Sequence, residues 1–340
     1  MTSYMPWLWK NLQQHLLHLI KGVAKMADIK TVATRVGFGE TLVELGAERD
    51  DFIVMDADLA AATQTGKFKK AYPERFYNCG IAEQNMVSIA AGIAATGKKV
   101  VVSSFAMFAA GRAFEQVRNS VGYPHLNVII GATHAGISVG EDGATHQCNE
   151  DIALMRTIPG MTIINPADDT EARLAVRAAF ECDGPVYMRF GRLAVPVVFD
   201  ETYDFKIGKG VELREGNDVT IIATGLMVKE ALEAYDLLKA EGINARIINM
   251  ATIKPIDRDI IIKAAKETGA IVTAEEHSVI GGLGSAVSEV VCETVPVPVV
   301  KLGVYDVYGH SGPAVKLLDE FGLRAVNIVE KAKAAIALKK

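Results

Sequence analysis

The sequence is poor in the residues that disulfide frameworks and metal sites require. Its 340 residues include four cysteines, which are widely spaced and form no Cys-x-x-Cys pair. We therefore expect free thiols in a reducing cytoplasm. No uninterrupted apolar run reaches about 18 residues, so we expect no membrane-spanning helix. There is no basic cluster and the net charge is −5, which argues against a nucleic-acid-binding surface.

Tryptophan is also scarce, and its distribution sets the N-terminus apart. Both tryptophans, Trp7 and Trp9, lie within the first 27 residues, beside apolar residues at helical spacing. Polar residues at 13–15 interrupt that apolar stretch and no small-residue cleavage site follows, so a signal peptide fits poorly. We interpret residues 1–27 as an N-terminal extension, with Met26 as a candidate natural start. The alternative is an amphipathic helix that docks on a partner.

Half of the residues are hydrophobic, which is enough for the cores of two domains. Between residues 28 and 191, short β-branched strands alternate with helices. The expected strands lie at 52–55, 75–78, 99–103, 127–131, 162–165 and 186–189. The pattern predicts an α/β fold with a doubly wound, mostly parallel sheet. It lapses at 192–210, which we interpret as a linker, and resumes as a second, smaller α/β domain at 211–340.

Polar or aromatic segments follow four of the expected strands. In an open parallel sheet the carboxyl ends of the strands share one edge, where ligands bind. The segments, in chain order, are Asp58, Glu83, residues 103–108 and a loop at 134–147. Their convergence predicts a binding site at this edge of the sheet.

Glu83 stands where a strand and a turn lead into an apolar helix. A carboxylate near a helix N-terminus is favoured by the helix dipole, and that role alone would explain it. However, apart from Ser88, residues 86–95 are apolar or glycine, so we expect a helix buried on nearly all sides. A buried carboxylate is costly without a partner, and a ligand could supply one. The residues themselves leave both interpretations open.

The loop at 134–147 carries His134 and His146 near its ends, with Glu141 and Asp142 between them. Long loops in compact domains are commonly functional. The spacing of the two histidines fits neither a helical nor a tight-turn zinc site, so we expect no metal site here. Phe105 and Phe108 precede the loop in sequence, and core packing is the simpler interpretation of their spacing.

Three motifs together resemble the pyrimidine-binding domain of transketolases. They are Gly80-Ile-Ala-Glu-Gln-Asn, Ser104-Phe-Ala-Met-Phe108 and Gly140-Glu-Asp-Gly-Ala-Thr-His-Gln147. The segment after Val219 resembles the C-terminal domain of that family, so the resemblance covers about residues 28–338. The Gly-Asp-Gly and Asn-Asn motifs of the family's diphosphate-binding domain do not occur in the sequence. The chain thus resembles the C-terminal subunit of a split transketolase that works with a separate N-terminal partner chain.

The resemblance implies cofactor contacts. Transketolases use thiamine diphosphate, and Glu83 matches the catalytic carboxylate that hydrogen-bonds the cofactor's pyrimidine ring. Phe105 and Phe108 match the aromatic wall against that ring, and Asp58 matches an acid near the cofactor. The divalent ion, Mg²⁺ or Ca²⁺, is expected to be held mainly by the partner chain.

Substrate contacts are implied in the same way. Asp142 matches the acid that contacts the substrate hydroxyl next to the reacting carbon, and His146 matches a catalytic histidine that contacts substrate oxygens. Arg35, His134 and Arg192 match phosphate-binding positions, which suits a sugar phosphate. The implied reaction transfers a two-carbon ketol unit from a ketose phosphate to an aldose phosphate, as in the pentose phosphate pathway.

Two positions depart from the family pattern. Gly111 stands where an aromatic usually lies beside the pyrimidine, and Ala62 stands where a serine usually contacts the phosphate. We expect these departures to affect the affinity for cofactor and phosphate rather than the reaction class.

The quaternary structure implied by the family is a heterotetramer with two copies of each chain, with a dimer of this chain inside it and active sites at subunit interfaces. One alternative is a deoxyxylulose phosphate synthase-like or other thiamine diphosphate-dependent enzyme that uses pyruvate, although the synthase normally lacks an acid at the position of Glu141. The segment Tyr308-Gly-His-Ser-Gly312 also resembles transketolase more closely. A non-catalytic regulatory subunit is the other alternative.

Overall fold

A computed structural model describes residues 30–339 of the chain. The N-terminal extension predicted at residues 1–27 lies outside the described residues. None of the helices between residues 30 and 339 combines the length and the apolar character that a bilayer crossing requires.

Most strands belong to one of two sheets. The strands are β1 (Thr31–Val32), β2 (Phe52–Asp56), β3 (Phe76–Asn78), β4 (Lys99–Phe105), β5 (Val128–Thr133), β6 (Thr162–Ile164), β7 (Val186–Arg189), β8 (Val195–Pro196), β9 (Val211–Arg214), β10 (Val219–Ala223), β11 (Ala245–Asn249), β12 (Thr252–Lys254), β13 (Ile271–Ser278) and β14 (Val299–Val304).

Helices connect and cover these strands. The α-helices are α1 (Thr34–Glu48), α2 (Ala60–Thr63), α3 (Gly66–Ala71), α4 (Glu83–Ala94), α5 (Phe114–Gln116), α6 (Asp151–Arg156), α7 (Asp169–Glu181), α8 (Met227–Ala240), α9 (Arg258–Thr268), α10 (Leu283–Thr294), α11 (Ala314–Glu320) and α12 (Ala325–Ala337). Two π-helical segments, Met107–Arg112 and Val117–Gly122, flank α5. Shorter 3₁₀ turns occur at Pro73–Arg75 and Ile137–Val139.

The first sheet has seven strands in the order β12-β6-β7-β5-β4-β2-β3. All neighbours in it are parallel except β12, which runs antiparallel to β6. Its interior strand β4 is buried over six of its seven residues, as expected for a parallel strand covered on both faces. The aromatic side chains Phe38 of α1, Phe52 of β2 and Phe180 of α7 pack together on one face. Met86 and Ala90 of α4 pack against the other. The α/β fold with a doubly wound, mostly parallel sheet is therefore confirmed.

The second sheet has five strands in the order β14-β13-β10-β11-β9, with β9 antiparallel at one edge. Helices α8 and α12 cover one face, and α9 and α10 cover the other. Glu275 of β13 accepts hydrogen bonds from the backbone N–H groups of Leu283 and Gly284, at the start of α10. A side chain at Gly282 would collide with that carboxylate, which explains the glycine run before this helix.

Several short elements, among them β12, α6 and β9, differ from the sequence expectation. Strand β12 follows the expected start of the second domain but forms the edge of the first sheet. Helix α6 and strand β9 were also not predicted. All three are only three to six residues long, which is too short for hydrophobic periodicity to distinguish them from loops.

Candidate active site

Glu83 is the first residue of α4, and its side chain is 1% exposed. The chain reaches it from β3 through Gly80, which adopts a left-handed backbone (φ +70°). The Ser104 hydroxyl donates to Glu83 Oε1 at 3.1 Å, and Arg112 Nη1 donates to Oε2 at 2.8 Å. Glu83 itself is buried, and its carboxylate has both a hydroxyl and a cation as partners. The expectation of a helix buried on nearly all sides is wrong, because Ile89, Gly92 and Ala95 are exposed on the face of α4 that points away from the sheet.

Arg112 was not predicted as part of the site. It ends the π-helical segment Met107–Arg112, and its guanidinium carbon lies 4.7 Å from the centre of the Phe108 ring. Its side chain is 46% exposed, in contrast to the carboxylate that it binds. The sequence could have indicated Arg112 through its position four residues after Phe108, since residues four apart lie on the same side of a helix. Single π-helical turns occur frequently at functional sites.

The two phenylalanines lie side by side, although they do not share a helix. Phe105 is the last residue of β4, whereas Phe108 lies in the π-helical segment that follows. Their ring centres are 6.1 Å apart, with the planes inclined by 16°. The two rings do not share a helical face, because the helical backbone begins at Met107, after Phe105.

Two histidines of the 134–147 loop contact these rings. His134 stacks on Phe105 with ring centres 3.9 Å apart. His146 meets Phe108 edge-on at 5.2 Å. The structure thus brings together aromatic residues from β4, the π-helical segment and the long loop, as the topology of the sheet predicted.

His134 has an unusual environment. Its backbone lies in the left-handed region (φ +56°), which is uncommon for a residue other than glycine. Burial lowers the pKa of its imidazole to about 3, and the neighbouring positive charges of Arg35 and Arg192 act in the same direction. Its Nδ1 is 2.9 Å from the Thr133 hydroxyl. The ring is therefore neutral at ordinary pH, and it can take part in hydrogen bonds without carrying charge.

The second domain holds the long loop in place. Glu276 of β13 accepts a hydrogen bond from the Ser138 backbone N–H at 2.6 Å. A side chain at Gly136 (φ +81°) would collide with the same carboxylate, so glycine is required for this close approach. Gln147 Nε2 donates to the carbonyls of Ile137 and His310. Burial raises the pKa of Glu276, and the backbone hydrogen bond opposes that shift.

Two arginines approach the loop from outside. Arg35 in α1 donates to the Ala62 carbonyl, so position 62 contacts this arginine through its backbone rather than through a side chain. Arg192 bonds the Val139 carbonyl and forms an ion pair with Glu141 at 2.8 Å. Burial lowers the pKa of Arg35, and the nearby charge of Arg192 adds to the effect.

The two other acidic residues predicted for the site, Asp58 and Asp142, lie in exposed positions. Asp58 (φ +65°) is paired with Asn78, whose Nδ2 donates to its carboxylate at 2.8 Å. Asp58 follows the end of β2. Its partner Asn78 ends β3 and precedes the turn that leads to Glu83. Asp142 is exposed in the same loop as His146. The structure places both at the expected edge of the sheet.

A groove of about 600 Å³ runs between the two domains beside Phe108 and Arg112. Met107, Thr145, Gln147, Glu150, Asp306 and Tyr308 line it together with those two residues. A larger depression of about 750 Å³ lies elsewhere, around Arg49 and Arg177. Those arginines are already paired with Asp51, Glu48 and Glu44, so that depression is better explained as a solvated ion-pair surface. The groove beside Phe108 is the better candidate for ligand entry.

Comparisons with known proteins agree with this geometry. Residues 30–197 match the pyrimidine binding domain of transketolase, and residues 208–328 match the transketolase C-terminal domain. The chain is 51% identical over 300 residues to a putative transketolase C-terminal section of Methanocaldococcus jannaschii, covering 87% of this chain and 94% of that protein. It is 43% identical over 293 residues to a 6-deoxy-6-sulfo-D-fructose transketolase subunit of a Clostridium species, covering 86% and 91%.

A solved structure is also similar. It is described as a split-gene transketolase in the form of an inactive beta4 tetramer, that is, four copies of the beta chain. It shares 53% sequence identity with this chain at a TM-score of 0.85. The alignment covers 91% of this chain and all of that one. The resemblance inferred from the three motifs is thereby confirmed, and the chain belongs to the transketolase family, of which it carries the pyrimidine-binding and C-terminal domains.

Proposed function

We propose that this chain is the C-terminal subunit of a split transketolase and transfers a two-carbon ketol unit from a ketose phosphate to an aldose phosphate. The observation that carries the proposal is the convergence of a buried carboxylate, an aromatic pair and two histidines at one sheet edge. Glu83, Phe105, Phe108, His134 and His146 come from four separate segments. A purely structural role for Glu83 would not require this arrangement.

The residues present fit the pyrimidine half of thiamine diphosphate. Glu83 is buried, and its Oε2 atom is bound by the half-exposed side chain of Arg112, beside the half-buried ring of Phe108. Glu83 would hold the pyrimidine ring through a hydrogen bond, Phe105 and Phe108 would form the wall against it, and Asp58 would supply an acid nearby. When bound, the cofactor supplies the nucleophilic carbon and the electron sink for breaking a bond next to a carbonyl. Mg²⁺ or Ca²⁺ would be held mainly by the partner chain.

The substrate contacts follow from charge and position. Arg35 and Arg192 would supply positive charge to the substrate's phosphate, and neutral His134 would add a hydrogen bond. His146 and Asp142 would contact the hydroxyl and carbonyl oxygens near the reacting carbons. Guanidinium groups bind phosphate and other oxyanions through charge-assisted hydrogen bonds. The similarity to a subunit named for a sulfonated sugar therefore makes the anionic group of the substrate worth varying.

The proposed assembly includes an N-terminal subunit that carries the diphosphate-binding domain. Similarity over nearly the whole chain to a separate C-terminal section supports this arrangement. So does the similarity to a tetramer of β chains that is described as inactive. We propose a heterotetramer with two copies of each chain, in which two copies of this chain form a dimer.

The test measures ketol transfer from xylulose 5-phosphate to ribose 5-phosphate, with thiamine diphosphate and Mg²⁺ present. It is run with this chain alone, with an N-terminal transketolase section alone, and with both together. We expect turnover only in the mixture. If the chains bind each other and the mixture stays inactive with sugar phosphate donors and with sulfonated ones, ketol transfer is overturned. Turnover with pyruvate would then identify a synthase-like enzyme, and activity of the partner alone would identify a regulatory subunit.

A further inference from the structure

Arg112 lies on the two surfaces that the proposed function assigns to the cofactor's pyrimidine ring. Its Nη1 donates to Glu83 Oε2 at 2.8 Å, and its guanidinium carbon lies 4.7 Å from the centre of the Phe108 ring. A guanidinium is planar and carries N–H donors, so it can bind a carboxylate while it stacks on an aromatic face. We propose that Arg112 is the gate of the pyrimidine site, which holds Glu83 while the site is closed and leaves when the cofactor ring enters. This inference rests on the proposed function.

The two partners of Glu83 differ in how easily they can leave. Ser104 is buried at the end of β4, in the centre of the sheet, so its hydroxyl is fixed in place. Arg112 has a long side chain that is 46% exposed, and it ends a π-helical segment. A half-exposed ion pair contributes little compared with a buried one, because water can replace the partner. The cofactor ring can therefore displace the guanidinium without disturbing the sheet.

The displaced guanidinium has acidic neighbours. Arg112 lines the 600 Å³ groove between the domains, and Glu150 and Asp306 line the same groove. Both carboxylates are exposed. The positive charge can therefore exchange one carboxylate environment for another, which lowers the free-energy cost of leaving Glu83.

Gly111 is consistent with this role. A Cβ atom at position 111 would lie 2.4 Å from Met107 Cε, so Met107 fills the space beside the glycine. An aromatic side chain at this position would have to displace the thioether. Gly111 directly precedes Arg112 in the π-helical segment, so this departure from the family pattern lies next to the proposed gate.

The experiment measures the dissociation constant of thiamine diphosphate by isothermal titration into the complex of this chain with an N-terminal section, with Mg²⁺ in excess. The variants are Arg112→Met, Arg112→Lys and the matched control Arg118→Met, which removes an exposed arginine from the same helical region. We expect Arg112→Met to lower the dissociation constant about tenfold, because the competitor for Glu83 is gone. Arg112→Lys should lower it less, and Arg118→Met should leave it unchanged.

A second readout uses salt. The ratio of the wild-type to the Arg112→Met dissociation constant should fall as NaCl rises from 0.05 to 0.5 M, because salt screens a half-exposed ion pair (Debye lengths of about 10 Å at 0.1 M and about 3 Å at 1 M). Circular dichroism checks that each variant is folded.

The outcomes separate the gate from the proposed function. If the wild-type complex binds the cofactor and Arg112→Met binds it equally or more weakly, the gate is overturned while the proposed function stands. If only Arg112→Met binds, the gate is supported in its strongest form. If neither wild type nor any variant binds the cofactor, the proposed function fails and the gate fails with it.

Discussion

Two arginine–carboxylate pairs in this chain have similar chemistry and opposite environments. Arg189 and Asp151 are 4% and 0% exposed, and Arg189 Nε lies 2.9 Å from Asp151 Oδ2. The Tyr187 hydroxyl also donates to that oxygen, and Arg189 Nη2 donates to the carbonyls of Cys148 and Glu276. The pair formed by Arg112 and Glu83 has one fully buried member and one half-exposed member.

The difference lies in what each carboxylate would lose if its arginine left. Asp151 belongs to a closed network that joins the first sheet to β13, and neither partner can be replaced by water. Glu83 keeps Ser104, and its Oε2 faces a partner that solvent already reaches. A closed network suits a structural junction between domains, whereas an open pair suits a site where a ligand exchanges with a side chain.

The largest loss of unfolding free energy is expected from Arg189→Met. Removing one member of a buried pair costs about 3–5 kcal/mol, because a charge is left buried without its partner. Arg112→Met should cost about 1 kcal/mol, since water replaces an exposed guanidinium. Urea unfolding of the full chain, followed by circular dichroism, measures both. Equal losses would contradict the distinction between the two pairs.

The next effect concerns turnover. In Glu83→Gln we expect the ketol-transfer rate of the assembled complex to fall at least about 100-fold, because an amide cannot act in proton transfer as a carboxylate does. Assembly, measured by light scattering, should be unchanged. Glu115→Gln removes an exposed carboxylate from α5 and is the matched control. Near-normal turnover in Glu83→Gln would remove it from the catalytic site.

A smaller effect concerns pH. Because the pKa of His134 falls from 6.5 to about 3 on folding, protons bind the unfolded chain more tightly than the folded one. Stability from this group is therefore full above about pH 6.5 and is lost as pH falls toward 3. Between pH 7.5 and pH 5, wild type should lose about 1–2 kcal/mol more free energy of unfolding than His134→Gln. Parallel losses in the two proteins would show that His134 is not held neutral.

The smallest loss of unfolding free energy is expected for an ion pair in which both side chains are exposed. Arg258 and Glu293 form a surface pair at 3.0 Å, with side chains 50% and 63% exposed. Such pairs are worth about 0.2–1 kcal/mol at most, and Glu293→Gln should fall near the lower end of that range. The measurement is again the urea midpoint. If Glu293→Gln lost as much stability as Arg112→Met, the exposure of a pair would not determine its contribution to stability.

The sequence was sufficient for features that depend on local pattern. The helix that begins at Glu83 and the parallel strands were predicted from apolar runs and turn residues. The apolar composition of that helix overstated its burial, because small and apolar residues such as Ile89 and Gly92 are exposed. Arg112 was missed because its partner lies 29 residues earlier, and only the fold brings the two together. Glu276 was missed for the same reason, since it is 138 residues from Ser138. The catalytic and binding roles of Glu83, His146 and the other site residues stay predictions until the variants are measured.

Strand β12 has a consequence for how the chain can be divided. It belongs to the second half of the sequence but supplies the outer hydrogen-bonding partner of β6. A polypeptide that stopped in the region of residues 192–210 would leave the N–H and C=O groups of β6 open at the sheet edge. Such edges recruit strands from other molecules and promote aggregation. The two domains therefore have to be encoded together. A gene division or recombination event that separates them should yield a first domain that aggregates.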